Sequence, residues 1–115
     1  MNEIAETCES TGIKMTIHPD DPPFPILGLP RIVSNYENYQ ELLKGVDQSF
    51  NGFCYCTGSL GANPNNDLLA IFELIKDRVY FTHLRNVRID EIGNFYESDH
   101  LDGNVDMYNV MKAIL

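Results

Sequence analysis

Three residues with metal-ligating side chains recur at matching places along this chain. His18 directly follows the alternating run "IKMTI", Cys56 ends the apolar run "GFCYC", and His83 stands near the end of "RVYFTHL". Imidazole nitrogen and thiolate sulfur are donors that borderline and softer divalent ions take from proteins. Singly, each has a plainer reading: a histidine at a strand end is commonly held by a structural hydrogen bond, and a buried cysteine behaves as a small hydrophobe. Their weight lies in the coincidence. In parallel α/β architectures the carboxyl ends of strands face the ligand site, so residues far apart in sequence converge there.

Strand parity separates the later cysteines. Cys54 and Cys56 share one face of "GFCYC", with Phe53 and Tyr55 on the other. Only Cys56 falls at the rim; Cys54 is expected to pack deeper, and a C-x-C chelate is the sharper alternative. With Cys8 the chain has three cysteines, an odd set that does not suggest a disulfide framework. Reduced thiols fit a reducing compartment, and the expected location is cytoplasmic.

Other polar residues cluster around the same three places. Asp20 and Asp21 follow His18 closely enough to accept the second N–H of a ligating imidazole, although Asx turns in a proline-rich loop explain them as well. Arg85 and Asn86 follow the third run and could hold an anionic substrate, Arg85 through its bidentate fork; a solvated surface arginine is the alternative. "TGSLG" offers backbone N–H groups but matches no phosphate-binding fingerprint and reads as a turn. Near the end, Asp99, His100, Asp102 and Asp106 would suit either a general acid/base or a cap of the last helix; Asp102 and Asp106 read as capping or solvated, and His100 is kept as the candidate catalytic residue.

The elements that must position these residues follow from periodicity. A helix is expected from Asn2 to about Ser10, ended by Gly12, and a strand over 13–17. Pro19, Pro22, Pro23, Pro25 and Pro30 then forbid regular structure and stiffen a loop. Ser34 with Glu37 resembles a capping box before a helix over about 35–45 carrying Tyr39, Leu42, Leu43 and Val46. A second strand over 52–56, a helix with Leu68, Ile71, Phe72 and Ile75 on one face, and a third strand over 78–84 complete the alternation. A long polar loop from Arg85 to Gly103 leads to a last helix with Met107, Val110, Met111 and Ile114, Asn104 as a possible cap and Asp106 in its first turn. Strands alternating with helices imply a parallel sheet. The first helix has no preceding strand to pack on and the last stops with its apolar face running, so the chain reads as a segment of a larger α/β protein.

Charge excludes some partners. Seventeen acidic residues against eight basic ones give a net charge of −9, which disfavours a phosphate backbone, so no nucleic acid is expected. The basic residues are scattered and no apolar stretch approaches the ~20 residues of a membrane span, so no membrane association is expected either.

Four stretches, "IHPDDPPFPILGLPRIVS", "CTGSLGANPNNDL", "FTHLRNV" and "DHLDGNVDMYNVMKAI", together resemble the C-terminal half of mannonate dehydratase, in the same order and over essentially the whole chain. The resemblance implies a (β/α)8 TIM barrel of the xylose-isomerase-like kind, and removal of water from D-mannonate to give 2-dehydro-3-deoxy-D-gluconate in hexuronate (glucuronate) catabolism. It implies a divalent metal, Mn(II) or Fe(II), with the family's ligands falling on His18, Cys56 and His83. Thiolate softness alone would favour zinc or iron over manganese. A whole barrel takes ~250 residues, so the chain is expected to be a partial barrel of about three parallel βα units, strands five to seven. The family's fourth ligand, an aspartate in a later "RPDHG"-type motif, and the acid/base histidine beside it have no counterpart before Leu115. The fragment alone is therefore expected to be inactive, and the full-length enzyme a homo-oligomer acting on a small sugar acid. The rival readings are another metal-dependent sugar isomerase or epimerase of the same barrel superfamily, and a non-catalytic fragment.

Overall fold

The run "GFCYC" has no ionisable carboxylate or amine to solvate, and it folds as a fully buried strand, β1 (Phe53–Cys56). In the computed structural model, which describes residues 1–115, β1 is followed by two helices, one short and one longer. Before them in the chain come α1 (Ala5–Thr11), closed by Gly12 in the left-handed region at φ 71°, and α2 (Tyr36–Gly45). After β1 come α3 (Thr57–Gly61) and α4 (Leu68–Ile75). Then β2 (Val79–His83) returns parallel to β1, pairing Cys54 with Phe81, Tyr55 with Thr82 and Cys56 with His83.

Helices cover one face of this ladder. Tyr39 of α2 meets Phe53 edge-on with ring centroids 5.1 Å apart, and Phe72 of α4 lies 5.1 Å from Tyr55. The Tyr55 hydroxyl donates to the Leu68 carbonyl at 2.9 Å, which satisfies the one polar atom that strand position buries. Ile71, Phe72 and Ile75 are buried on the expected stripe of α4. Phe53 and Tyr55 thus face the helices, and alternation leaves Cys54 and Cys56 on the other face. The molecule is a slab of 47 × 38 × 19 Å with a radius of gyration of 14.8 Å, larger than the roughly 13 Å of a compact domain this long.

Several sequence expectations are corrected. The strand over 13–17 reduces to a single parallel bridge, Ile17 to Phe53. The segment still runs beside β1: Met15 N–H donates to the Phe50 carbonyl at 2.8 Å, Ile17 N–H to Gly52 at 2.9 Å, and Cys54 N–H to Ile17 at 2.9 Å. Pro19 has no N–H with which to extend this pairing. "TGSLG" is helical rather than a simple turn. The long polar loop holds an antiparallel hairpin, β3 (Asn86–Ile89) and β4 (Phe95–Ser98), whose turn is ordered by Asp90 Oδ1 accepting from Ile92 N–H (3.0 Å) and Asn94 N–H (2.8 Å). The strands are therefore not all parallel. The last helix, α5 (Met107–Ile114), is capped by Asp106, which accepts from Asn109 N–H at 3.1 Å. Asn104 instead accepts from Ile89 N–H at 2.7 Å and ties the hairpin down. No helix is long and apolar enough to cross a membrane.

The capping box is also displaced. Asn35, not Ser34, caps α2, its side chain accepting from Asn38 N–H at 2.9 Å. Glu37 then falls one position too early to reach back. Replacing Asn35 with alanine is expected to cost about 1 kcal/mol of stability, whereas Glu37→Ala should stay within roughly 0.5 kcal/mol of wild type. Urea unfolding of the full-length protein separates the two; an equal loss from Glu37→Ala would restore the box.

Candidate metal centre

Because β1 and β2 run in the same direction and in register, their last residues face each other. The Cys56 sulfur lies 3.6 Å from His83 Nδ1. His18 arrives from the third parallel segment, one residue past the Ile17 bridge, and its ring centroid is 5.8 Å from that of His83. One donor atom from each of His18, Cys56 and His83 lies within 4.8 Å of the others. Donors sharing one ion at ~2.0–2.3 Å stand at most about 4.6 Å apart, so the cluster needs little contraction to hold one. Cys56 is buried and both histidines are exposed, which leaves the cluster open on one side.

The tautomer of His18 is set locally. Its Nδ1 is 2.7 Å from the Pro19 carbonyl, and a carbonyl only accepts, so Nδ1 carries the proton and Nε2 keeps its lone pair for a ligand. The expected acceptor, Asp20 or Asp21, is not used for this. Asp20 accepts from the Ile32 and Val33 N–H groups, both at 2.7 Å, and closes the proline loop onto itself. Asp21, the residue before a cis proline, reaches away to Arg85. Cys54 lies outside the cluster; burial pushes its thiol pKa up, and the neighbouring Cys56 adds to the effect.

The run after the strand, Cys56-Thr57-Gly58-Ser59, is a socket for Arg85. Thr57 Oγ1 donates to the Arg85 carbonyl at 2.6 Å and accepts from the Arg85 N–H at 3.0 Å, fixing the backbone just past His83. Gly58 leaves room for the arginine side chain: a Cβ there would sit 2.6 Å from Nε and 2.7 Å from the Arg85 Cβ. The Ser59 hydroxyl lies 3.2 Å from the Cys56 sulfur, 3.2 Å from Asp21 Oδ2 and 3.1 Å from Arg85 Nη2. Arg85 Nη2 donates to Asp21 at 2.6 Å and Nη1 to Glu97 of β4 at 3.4 Å. Burial works against the guanidinium charge, but the Asp21 carboxylate and the Cys56 sulfur outweigh it and hold the Arg85 pKa above its ordinary value. Glu97 was not singled out by sequence, and "TGSLG" was read as a turn offering backbone N–H groups rather than as a socket for Arg85; the small-residue run directly after a ligand was the available signal.

The remaining sequence candidates sit beside this cluster rather than in it. Asn86 is 1% exposed. Its Nδ2 donates to the His100 and Val105 carbonyls (2.7 and 3.1 Å), and its Oδ1 accepts from the Val87 and Val105 N–H groups (both 2.9 Å). Both amide protons and both lone pairs are used inside the fold, so none is left for a ligand. His100 is exposed, and its Nε2 donates to the Leu84 carbonyl at 3.0 Å, between His83 and Arg85. The largest concavity, about 610 Å³, lies elsewhere, among Asn35, Asn63, Asn66 and Asp67 at the starts of α2 and α4.

Parallel strand ends presenting two imidazoles and a thiol, beside a socketed arginine, define an α/β protein with a candidate metal centre at one rim. The profile of the family described as D-mannonate dehydratase (UxuA) matches residues 1–115. A mannonate dehydratase of Saccharophagus degradans is 49% identical over 115 residues, covering 100% of this chain and 29% of that protein. Mannonate dehydratase 2 of Agrobacterium fabrum is 45% identical, with the same coverage of 100% and 29%. The crystal structure of mannonate dehydratase from Streptococcus suis serotype 2 superposes with a TM-score of 0.90 at 41% identity, covering 98% of this chain and 33% of that one. The chain belongs to the D-mannonate dehydratase family, and it spans about a third of the length of these relatives.

The socket gives a stability test. Alanine at position 58 would gain up to about 1 kcal/mol in helix propensity, but displacing Arg85 should cost roughly 1–3 kcal/mol as overpacking does. Gly58→Ala is therefore expected to lower the melting temperature of the full-length protein; a rise would mean that Arg85 does not lie across Gly58.

Proposed function

We propose that this chain carries three ligands of the metal site of a mannonate dehydratase, the hydro-lyase that converts D-mannonate to 2-dehydro-3-deoxy-D-gluconate. The observation that carries the reading is the convergence of His18, Cys56 and His83 within 4.8 Å, on a chain whose whole length matches the family. His18, through Nε2, with Cys56 and His83 would hold Mn(II) or Fe(II). When bound, such an ion supplies a Lewis acid that stabilises negative charge developing on substrate oxygens.

The chain's own residues account for part of the chemistry. The reaction breaks the C–H bond beside the carboxylate and the C–O bond of the adjacent hydroxyl, releasing water and leaving an enol that becomes the ketone. Arg85 is held at the rim with part of its fork exposed, suited to the substrate carboxylate. His100, anchored through Nε2, keeps Nδ1 for proton transfer. Asn86 supports the site indirectly, by holding the His100 carbonyl and the start of the hairpin. In this reading the slab is part of a barrel wall. Phe81, 59% exposed on the face shared with Cys54 and Cys56, would be covered by the remainder of the barrel.

The test is turnover of D-mannonate by the full-length enzyme, with detection of the 2-keto product. His18→Ala and Cys56→Ala are expected to lose the metal by elemental analysis and to reduce kcat/KM by two to three orders of magnitude, about the several kcal/mol a Lewis acid contributes. Retained metal with retained activity would remove these residues from the site. Ketose formation from aldoses, with no dehydration of mannonate, would point instead to an isomerase of the same superfamily.

A further inference from the structure

Arg85 carries two carboxylates, and they are held differently. Asp21 Oδ2 lies 2.6 Å from Nη2 and is also held by the Ser59 hydroxyl at 3.2 Å, with its side chain 36% exposed. Glu97 Oε2 stands 3.4 Å from Nη1, makes no other side-chain hydrogen bond, and is 66% exposed. Glu97 lies opposite Val87 in the hairpin, on the side of β4 that also carries Phe95. Val87 is buried and Phe95 packs against the core and Phe24, so this is the inward side of the strand. A carboxylate gains nothing from apolar neighbours there; what it meets is the outer N–H of the arginine. Nε is buried against Gly58 without a partner, and Nη2 is committed, which leaves Nη1 as the edge that an incoming anion can take.

We propose that Glu97 is a resident carboxylate that occupies Arg85 Nη1 in the free enzyme and is displaced by the carboxylate of the sugar acid, so that it sets substrate affinity. The inference rests on the reading of Arg85 as the carboxylate-binding residue. Exchange of one carboxylate for another on the same N–H keeps the arginine satisfied throughout, while Asp21 and Ser59 hold the guanidinium still. The substrate's gain is reduced by whatever the Glu97 contact contributes, and Glu97 also repels an anion from a chain whose net charge is already −9. Exposed ion pairs of this kind shift an equilibrium by roughly two- to five-fold, and salt weakens them.

Three variants of the full-length enzyme test this: Glu97→Gln, Arg85→Gln, and Glu91→Gln, which removes the same charge from the same hairpin away from Arg85. Steady-state kinetics on D-mannonate are paired with calorimetric titration of the metal-free enzyme by the same acid. Glu97→Gln is expected to lower KM and the calorimetric Kd by roughly two- to five-fold at low salt, with the change carried by KM rather than kcat and shrinking as salt is added. Glu91→Gln should leave KM in place, and Arg85→Gln should raise it. If Arg85→Gln raises KM while Glu97→Gln leaves it unchanged or raises it, the Glu97 proposal fails and the arginine reading stands. If Arg85→Gln leaves KM and Kd unchanged, both fail.

Discussion

The parallel register of β1 and β2 is the constraint on which the site depends. Pairing Cys56 with His83 puts a sulfur and an imidazole at the same level of the sheet, and the bridge at Ile17 brings His18 to that level from a third segment. A slip of one residue would turn Cys56 toward the helices and break the cluster. What prevents the slip is packing on the opposite face. Phe53 and Tyr55 are fully buried against Tyr39 and Phe72, and Tyr55 is also pinned by its hydroxyl. The apolar face thus fixes which residues the polar rim presents.

Arg85 organises the rim around that register. Its backbone is held by Thr57, its side chain crosses Gly58, and its guanidinium links the proline loop through Asp21, α3 through Ser59, and the hairpin through Glu97. One cation thereby joins the loops that follow all three parallel segments. The proline loop contributes its share through Asp20, whose carboxylate closes the loop's far end. The two adjacent aspartates have separate tasks, one within the loop and one across the rim.

Much of this was legible in the sequence. A short apolar run bounded by turn residues located the strand at 52–56, and helical periodicity located the stripe of α4, since burial of one helix face leaves a repeat in the side chains, whereas the alternation over 13–17 marked only a single bridge. The three strand-end donors were found because parallel topology predicts where such ends converge. The hairpin was missed because its strands are only four residues long and the second, "FYES", carries polar residues on both faces and gives little periodicity, although Asp90 and Gly93 mark its turn. The role of "TGS" was hidden because its partner, Arg85, is 26 to 28 residues away. The aspartates two and three residues after His18 suggested an imidazole partner, but the carbonyl of the adjacent Pro19 takes that proton.

The central claim is that two imidazoles and one thiolate from this chain bind a single ion. X-ray absorption at the metal edge of the full-length, metal-loaded enzyme tests it most directly. One sulfur scatterer together with imidazole multiple scattering is the expected result, with the sulfur contribution vanishing in Cys56→Ser. A shell of nitrogen and oxygen alone in the unmodified enzyme, unchanged by that substitution, would contradict it.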